Sequence, residues 1–407
     1  MYANITLSLQ EEKGTDMSTE SANIPFHPFN PLDFSQPYEK LRQARKECPV
    51  GEFSVEGFPA PFYFLAQDGD VRELLNSSAV SNHGNFELSK DYPPVITQLD
   101  GEEHKHLRNI LEESFNAQVF KQAQPFIVRK TAELLSSMLE QENSQADFID
   151  ALAGKLPTAV ITYLIGVPER DAERIREWNV VIHSRIPGPF YDTDAWKHFE
   201  GYIRGLVAGY QMAERAPDNI ISRLLTTDLS SEEILMTVFQ LLIAGAETTT
   251  MLLGSLLYEL LSTPERWEAL KKDQRLITPA IEETLRLHPP LNWVMRSCPA
   301  PLSTHEETLP TGSRLVLGIT SANRDEARWG DSAENFEIGR RGSANHLTFG
   351  AGLHFCLGSQ LARLIARVVL ETLVERVPTL QLVEGYKYEP MDGAMIHGPK
   401  SLLVQWL

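Results

Sequence analysis

Cysteine is scarce in this chain. Its 407 residues include three, Cys48, Cys298 and Cys356, widely spaced and odd in number. They suggest no disulfide framework, and a reducing cytoplasm suits them best. Positive charge is also short: 37 Lys and Arg face 55 Asp and Glu, for a formal net charge of −18. Such a field repels nucleic acid and anionic membrane, so neither is an expected partner. Long apolar runs are missing. The most apolar stretch, ILMTVFQLLIAGA, runs into Glu247 and is too short for a typical membrane span, so it reads as a buried helix. No basic segment followed by a long apolar core opens the chain, so no export signal is expected. Repeats and low-complexity linkers are absent as well. These absences leave a soluble, cytoplasmic monomer as the expectation. Residues 1–24 are polar and aperiodic and read as a disordered tail; residues 25–407 read as one domain.

Helical periodicity dominates what is present. YEKLRQARKE is a short amphipathic helix, and GEFSVEG and PFYFLA alternate like two strands of a small sheet. Longer helical patterns follow, with the break RIPGPFYDTD between two of them. A very long helix is expected from about Ser231 to Leu261. Ser230 and Glu233 have the spacing of a capping box at its start, and Pro264 lies just past its end. Pro279 opens another helix and Pro289-Pro290 stops it. The chain then reads as irregular up to LGSQLARLIARVVLETLVERV, and its end as short strands. The class is mainly α with a minor β component.

The stretch Phe349-Gly-Ala-Gly-Leu-His354-Phe-Cys356-Leu-Gly358 concentrates glycine around one thiol. A dinucleotide fingerprint is excluded, because Phe355 stands where the third glycine belongs. No second Cys lies nearby for a zinc site. A nucleophilic Cys356 with His354 as base stays open, although residues two apart on an extended segment point to opposite faces. A buried free thiol is the plain alternative. A heme thiolate uses every feature. Glycines let the backbone press against a flat macrocycle and aim N–H groups at sulfur, and the following helix adds its positive end.

The pattern F-G-x-G-x-H-x-C-x-G resembles the heme-binding signature of the soluble bacterial cytochrome P-450 monooxygenases. The resemblance extends from about Pro25 to Leu407 and implies their triangular-prism fold and heme b (iron protoporphyrin IX). It makes Cys356 the iron ligand and places Phe349, Gly350, His354 and Gly358 around the cofactor. AGAET at residues 244–248 is similar to the family's distal-helix motif. It implies that Ala244 borders the cofactor, Thr248 steadies dioxygen and Glu247 relays protons. Gly245 and three consecutive threonines are poor helix formers, and a local opening of the helix is one reading of them. His104 and Arg108, four apart in GEEHKHLR, and Arg296 in VMRS resemble the propionate anchors. Glu283 and Arg286, with Arg340, resemble the structural ion-pair triad. Departures are small: Glu247 stands for Asp, His354 for Arg and Gly101 for Pro.

By family position the substrate pocket includes Phe86, Tyr92, Ile96, Ile186, Phe190, Leu241, Leu291, Val294, Met395 and Ile396. These residues suit a small apolar substrate. The implied partners are dioxygen and a ferredoxin or flavodoxin with its NAD(P)H reductase. The carrier is expected to dock near Lys105, Arg363 and Arg367. Two other classes stay open: a heme-thiolate isomerase, dehydratase or peroxygenase, against which Thr248 counts, and a cofactor-free cysteine hydrolase.

Overall fold

The computed structural model describes residues 24–34, 37–55, 58, 60–83, 92–183, 190–214, 217–304 and 307–407. The expected N-terminal tail therefore lies outside the described residues, apart from Ile24. The main helices are α1 (Tyr38–Glu47), α2 (Asp68–Asn76), α3 (Gly101–Ser114), α4 (Ala117–Leu139), α5 (Leu156–Ile165), α6 (Ala172–His183), α7 (Asp194–Gln211), α8 (Ser231–Leu261), α9 (Pro264–Lys272), α10 (Ile277–Leu287) and α11 (Ser359–Arg376). The strands are β1 (Val50–Phe53), β2 (Phe62–Leu65), β3 (Gln145–Asp147), β4 (Trp293–Ser297), β5 (Leu302–Thr304), β6 (Glu307–Leu309), β7 (Arg314–Gly318), β8 (Gln381–Leu382) and β9 (Leu403–Gln405).

Helix α8 begins and ends as its sequence dictates. The Ser230 hydroxyl accepts from the Glu233 amide, and the Glu233 carboxylate accepts from the Ser230 amide at 2.8 Å, so two orphan donors are satisfied. By length and composition this helix could cross a membrane, but most of its apolar window is buried inside the fold. It packs against α5, α10 and α11 within the largest hydrophobic cluster. An axial helix surrounded by other helices explains why its residues are apolar nearly all round.

The sheet is larger than the sequence suggested. Residues 293–318, read as irregular, supply two strands to a four-stranded sheet of order β1-β2-β7-β4. Strand β2 pairs antiparallel with β1 and parallel with β7, Phe62 opposite Arg314. All four β2 residues are buried, because both faces of the sheet are covered. Phe62 and Phe64 enter one apolar cluster with Trp293, Met295 and Val316. Tyr63 and Leu65 enter another with Leu315 and Leu317. The sheet ends at Gly318, and the segment after it leads to the loop that carries Cys356.

Candidate active site

Cys356 sits at the mouth of α11. Its own amide donates to Phe349 O at 2.8 Å and the Phe355 amide donates to Gly352 O at 3.1 Å, which closes the loop. Gly352 has φ +68, and a Cβ there would lie 2.8 Å from Leu75 O and 3.1 Å from the Asn76 backbone, so glycine is required. Cys356 is the one exposed cysteine among the three, although neighbouring protein desolvates its thiol. Burial pushes the thiol pKa up. The Gly358 and Ser359 amides and the Arg108 and Arg363 charges oppose that shift by favouring the thiolate.

A second open surface lies on α8. Residues Ile234–Phe239 are buried, as are Thr249–Leu257, but Ala244 between them is exposed, and Gln240, Leu241, Glu247 and Thr248 are only partly covered. Positions 240, 244, 247 and 248 share one helical face. Thr248 Oγ1 donates to Ala244 O at 2.7 Å. Thr250 Oγ1 reaches Ala246 O at 3.1 Å and Ala153 O at 3.0 Å. The helix is not broken at Gly245. The threonines bond back to carbonyls one turn earlier while the helix remains continuous. A Cβ on Gly245 would make only ordinary contact with Ile161, at 3.5 Å.

Two histidines and two arginines converge beside the cysteine loop. The His104 and His354 rings are 4.0 Å apart between centroids. His104 is buried, and among the described residues its Nδ1 has no hydrogen-bond partner. Burial lowers the His354 pKa to about 4, helped by His104 and Arg296 and opposed by Asp100. Arg296 is buried and donates Nη1 to Met295 O at 2.7 Å. Among the described residues it forms no ion pair, and burial lowers its pKa to about 10. Arg108 donates to Phe355 O at 2.7 Å and pairs with Glu112 at 2.7 Å.

Asp100, overlooked in the sequence, lies among these groups. It accepts from the Ser81 hydroxyl at 2.6 Å and the Asn82 amide at 2.8 Å, and it lies 3.3 Å from His354 Nε2. Burial would raise its pKa, but these donors outweigh burial and hold it at about 2. Its place immediately before α3 was the available signal, since acidic residues favour helix N-termini.

These residues fit a heme. A thiol at a helix N-terminus, with two amides directed at it, suits an axial thiolate. Among the described residues, a buried arginine that forms no ion pair and a buried imidazole nitrogen with no hydrogen bond suit two propionates.

Glu283, Arg286 and Arg340 are brought together. Arg286 and Arg340 both donate to Glu283, and Arg286 also holds Asn323 O, Ala333 O and Asn335 O. Arg363 is placed differently from the expectation of a free docking charge. It binds Glu282 through Nε at 2.6 Å and Nη2 at 2.9 Å, and its guanidinium lies 4.5 Å from the centre of the Phe349 ring. Arg367 pairs with Glu371 at 3.5 Å and Lys105 with Glu102 at 2.6 Å, with side chains well exposed.

Among the expected pocket residues, Phe86 and Ile186 lie outside the described residues. Phe190 is fully buried in an aromatic cluster with Trp196 and Phe239, so it backs a wall rather than presenting a free face. Tyr92 joins that cluster, its hydroxyl accepting from Trp196 Nε1 at 3.0 Å and donating to Glu200 at 3.2 Å. Leu291 and Ile396 meet through a backbone bridge. Ile96, Leu241, Val294 and Met395 are half-buried.

The family model described as Cytochrome P450 matches residues 193–393. The chain is 32% identical over 382 residues to cytochrome P450 monooxygenase PikC of Streptomyces venezuelae, covering 91% of this chain and 90% of that protein. It is 30% identical over 373 residues to vitamin D(3) 25-hydroxylase of Pseudonocardia autotrophica, covering 88% and 90%. Among solved structures it is similar to the Bacillus subtilis bacillaene polyketide synthase cytochrome P450 PksS, with TM-score 0.84, 26% identity and coverage of 94% and 99%. It is also similar to CYP109E1 from Bacillus megaterium in complex with testosterone, with TM-score 0.81, 28% identity and coverage of 91% and 99%.

Proposed function

Since the chain belongs to the cytochrome P450 family and is a monooxygenase of that family, we propose that it hydroxylates an apolar small molecule, using heme b and electrons from NAD(P)H delivered by a ferredoxin-type carrier. The observation that carries this reading is the exposed Cys356 at the N-terminus of α11, its sulfur faced by the Gly358 and Ser359 amides.

Cys356 would ligate the iron, and His104, Arg108, Arg296 and His354 would hold the propionates. Phe349, Gly350 and Gly358 shape the loop behind the sulfur. When bound, the heme supplies the redox chemistry that places one atom of dioxygen in a C–H bond and releases the other as water. The remaining work belongs to the chain. The amides at the start of α11 stabilise negative charge on the sulfur. Ala244, with only a methyl group, leaves space beside α8. The Thr248 hydroxyl parks its proton on Ala244 O and, by rotating about χ1, can offer it to the open face. Glu247, one position earlier, is placed to resupply that proton.

Half-buried Ile96, Leu241, Leu291, Val294, Met395 and Ile396 form the apolar wall that orients substrate and excludes water. The relatives named for vitamin D(3) hydroxylation and for a testosterone complex support a large apolar substrate. The test is spectroscopic. Purified protein, reduced and exposed to carbon monoxide, should show the strongly red-shifted Soret band of thiolate ligation. A colourless protein, or one without that band, overturns the reading. A spectral binding screen with sterols, macrolides and fatty acids then tests the substrate class.

A further inference from the structure

Asp100 is an anomaly at the start of α3. It occupies the cap position, yet among the described residues its side chain accepts no hydrogen bond from the α3 amides. The carboxylate turns the other way. One oxygen accepts from Ser81 Oγ at 2.6 Å, the Asn82 amide at 2.8 Å and the His83 amide at 3.4 Å. The other accepts from Asn82 Nδ2 at 3.3 Å and lies 3.3 Å from His354 Nε2. Ser81 in turn pairs with Ser297, each amide donating to the other's carbonyl, at 2.9 and 2.8 Å. Asp100 thus ties together α3, the end of β4 and the cysteine loop. These three segments carry His104 and Arg108, Arg296, and His354 respectively.

Its sign is a second anomaly. Of those four side chains only the two arginines carry a permanent charge. Arg108 already pairs with Glu112, and Arg296 feels the field of Asp100. The arginine charges are therefore matched before any ligand arrives. A cradle shaped only to hold two propionates would not include a third carboxylate, since like charges oppose binding. Nor do the hydrogen bonds demand a charge: an asparagine would accept from Ser81 and Asn82 as well. The charge is nonetheless secure. Burial opposes it, but the donors of residues 81–83 prevail and hold the Asp100 pKa at about 2.

We propose that Asp100 is a potential-setting residue: its fixed negative charge, held among the propionate anchors, favours ferric over ferrous heme and so sets how readily the enzyme accepts its first electron. This rests on the reading of His104, Arg108, Arg296 and His354 as those anchors. The physics is Coulombic. Reduction adds one negative charge to the cofactor, and a nearby anion raises the energy of the reduced state more than that of the oxidised state. Asp100 is half-buried, so solvent and salt screen this effect less than they would at an open surface. Arg296 has the opposite sign and pulls the potential the other way. The bonds from residues 81–83 and His354 keep the carboxylate at one place, so its influence on the potential is constant.

The experiment is a spectroelectrochemical titration of the Soret band in heme-loaded protein without substrate. Asp100→Asn should raise the ferrous-to-ferric ratio at a fixed applied potential by about three- to tenfold, roughly 30–60 mV at about 59 mV per tenfold. Asp100→Glu keeps the charge while disturbing the bonds, and should stay near the wild-type potential. Asp100→Ser replaces the asparagine variant if that protein does not load heme, with the same rise expected. Arg296→Gln should shift the ratio the opposite way or lose heme. If the Asn and Glu variants raise the potential alike, Asp100 acts through its bonds and not its charge, and the proposal fails. It fails too if neither neutral variant loads heme, because Asp100 is then a structural residue. A neutral variant at the wild-type potential, with Arg296→Gln shifted, overturns the role of Asp100 and leaves the anchors in place. If Arg296→Gln also loads heme at the wild-type potential, the anchors are misassigned and the reading beneath the proposal falls with it.

Discussion

Arg286 grips the Glu283 carboxylate at two points, Nε at 2.9 Å and Nη2 at 2.8 Å, and neither side chain is exposed. Arg340 adds a third bond, Nε to Oε1 at 2.9 Å, and the Glu337 amide a fourth at 3.0 Å. The arginine in turn anchors three carbonyls of residues 323–335, the segment leading to the cysteine loop. An i,i+3 pair on a solvated helix would contribute under about 1 kcal/mol. Here the surroundings change the magnitude. Removing one partner strands a buried charge and frees several carbonyls.

Arg286→Ala and Glu283→Ala should each destabilise the protein by about 3–5 kcal/mol. Urea unfolding followed by circular dichroism measures this without reference to the heme. A loss under about 1 kcal/mol would show that the pair behaves like a surface contact.

A neighbouring carboxylate gives a pH signature. Burial pushes the Glu282 pKa up, but the two hydrogen bonds from Arg363, with His346 Nε2 close by at 3.4 Å, outweigh it and bring it down to about 2. The folded value lies below the ordinary glutamate value, so ionised Glu282 stabilises the fold above about pH 4.5. That contribution disappears as pH falls toward 2. At neutral pH it is about 3 kcal/mol or less, because Arg363 keeps some contact with solvent. Glu282→Gln should flatten the acid limb of the stability curve between pH 4.5 and 2. Identical acid limbs in variant and wild type would show that other carboxylates set it.

Much of this was legible in local sequence, and the misses share one cause. Helix α8 could be read because its cap, Ser230 and Glu233, lies within four residues. The cysteine loop could be read because glycine need is written residue by residue. The pairing of β2 with β7 could not, because Phe62 and Arg314 meet across some 250 residues with nothing local to mark them. Arg363 and Arg367, four apart, look alike on a helical face, but only Arg363 meets Glu282, which comes from α10. Phe190 is apolar whether it lines a cavity or fills an aromatic cluster. Partners distant in sequence decided each of these.

The three cysteines should separate cleanly. Cys48 and Cys298 are buried in apolar clusters, and burial raises the Cys298 thiol to about 11. Cys356→Ala should abolish the red-shifted Soret band of the reduced, CO-bound protein. Cys48→Ala and Cys298→Ala should keep it. Loss of the band in either of the latter, with the protein still folded and heme-loaded, would reassign the ligand.

Thr248 and Thr250 should differ although they are two residues apart. Among the described residues Thr248 Oγ1 bonds only its own helix, at Ala244 O, on the open face. Thr248→Ala should leave stability and ligand affinity nearly unchanged, yet release several-fold more peroxide per NAD(P)H consumed. Thr250 ties α8 to Ala153 O at 3.0 Å and is buried. Thr250→Ala should therefore lower stability by about 1 kcal/mol and leave coupling alone. Equal peroxide release from both variants would remove Thr248 from proton handling.

Carrier docking turns on which charges are free to greet a partner. Arg367 and Lys105 are exposed, and their ion pairs, at 3.5 Å and 2.6 Å, are solvated. Such pairs open at little cost when a stronger counter-charge approaches. Leu353 and Phe355 are exposed on the cysteine loop, where Arg108 donates to Phe355 O, and offer apolar surface there. An acidic ferredoxin should therefore be steered to this face, and reduction should slow as salt rises. Arg367→Glu and Lys105→Glu should each raise the carrier's KM several-fold with Tm unchanged. Arg363→Glu should behave differently, because it places two carboxylates where Glu282 now has a partner. Its Tm should fall before any effect on docking can be read. If Arg367→Glu and Lys105→Glu leave the carrier's KM unchanged at low salt, the docking face lies elsewhere on the molecule.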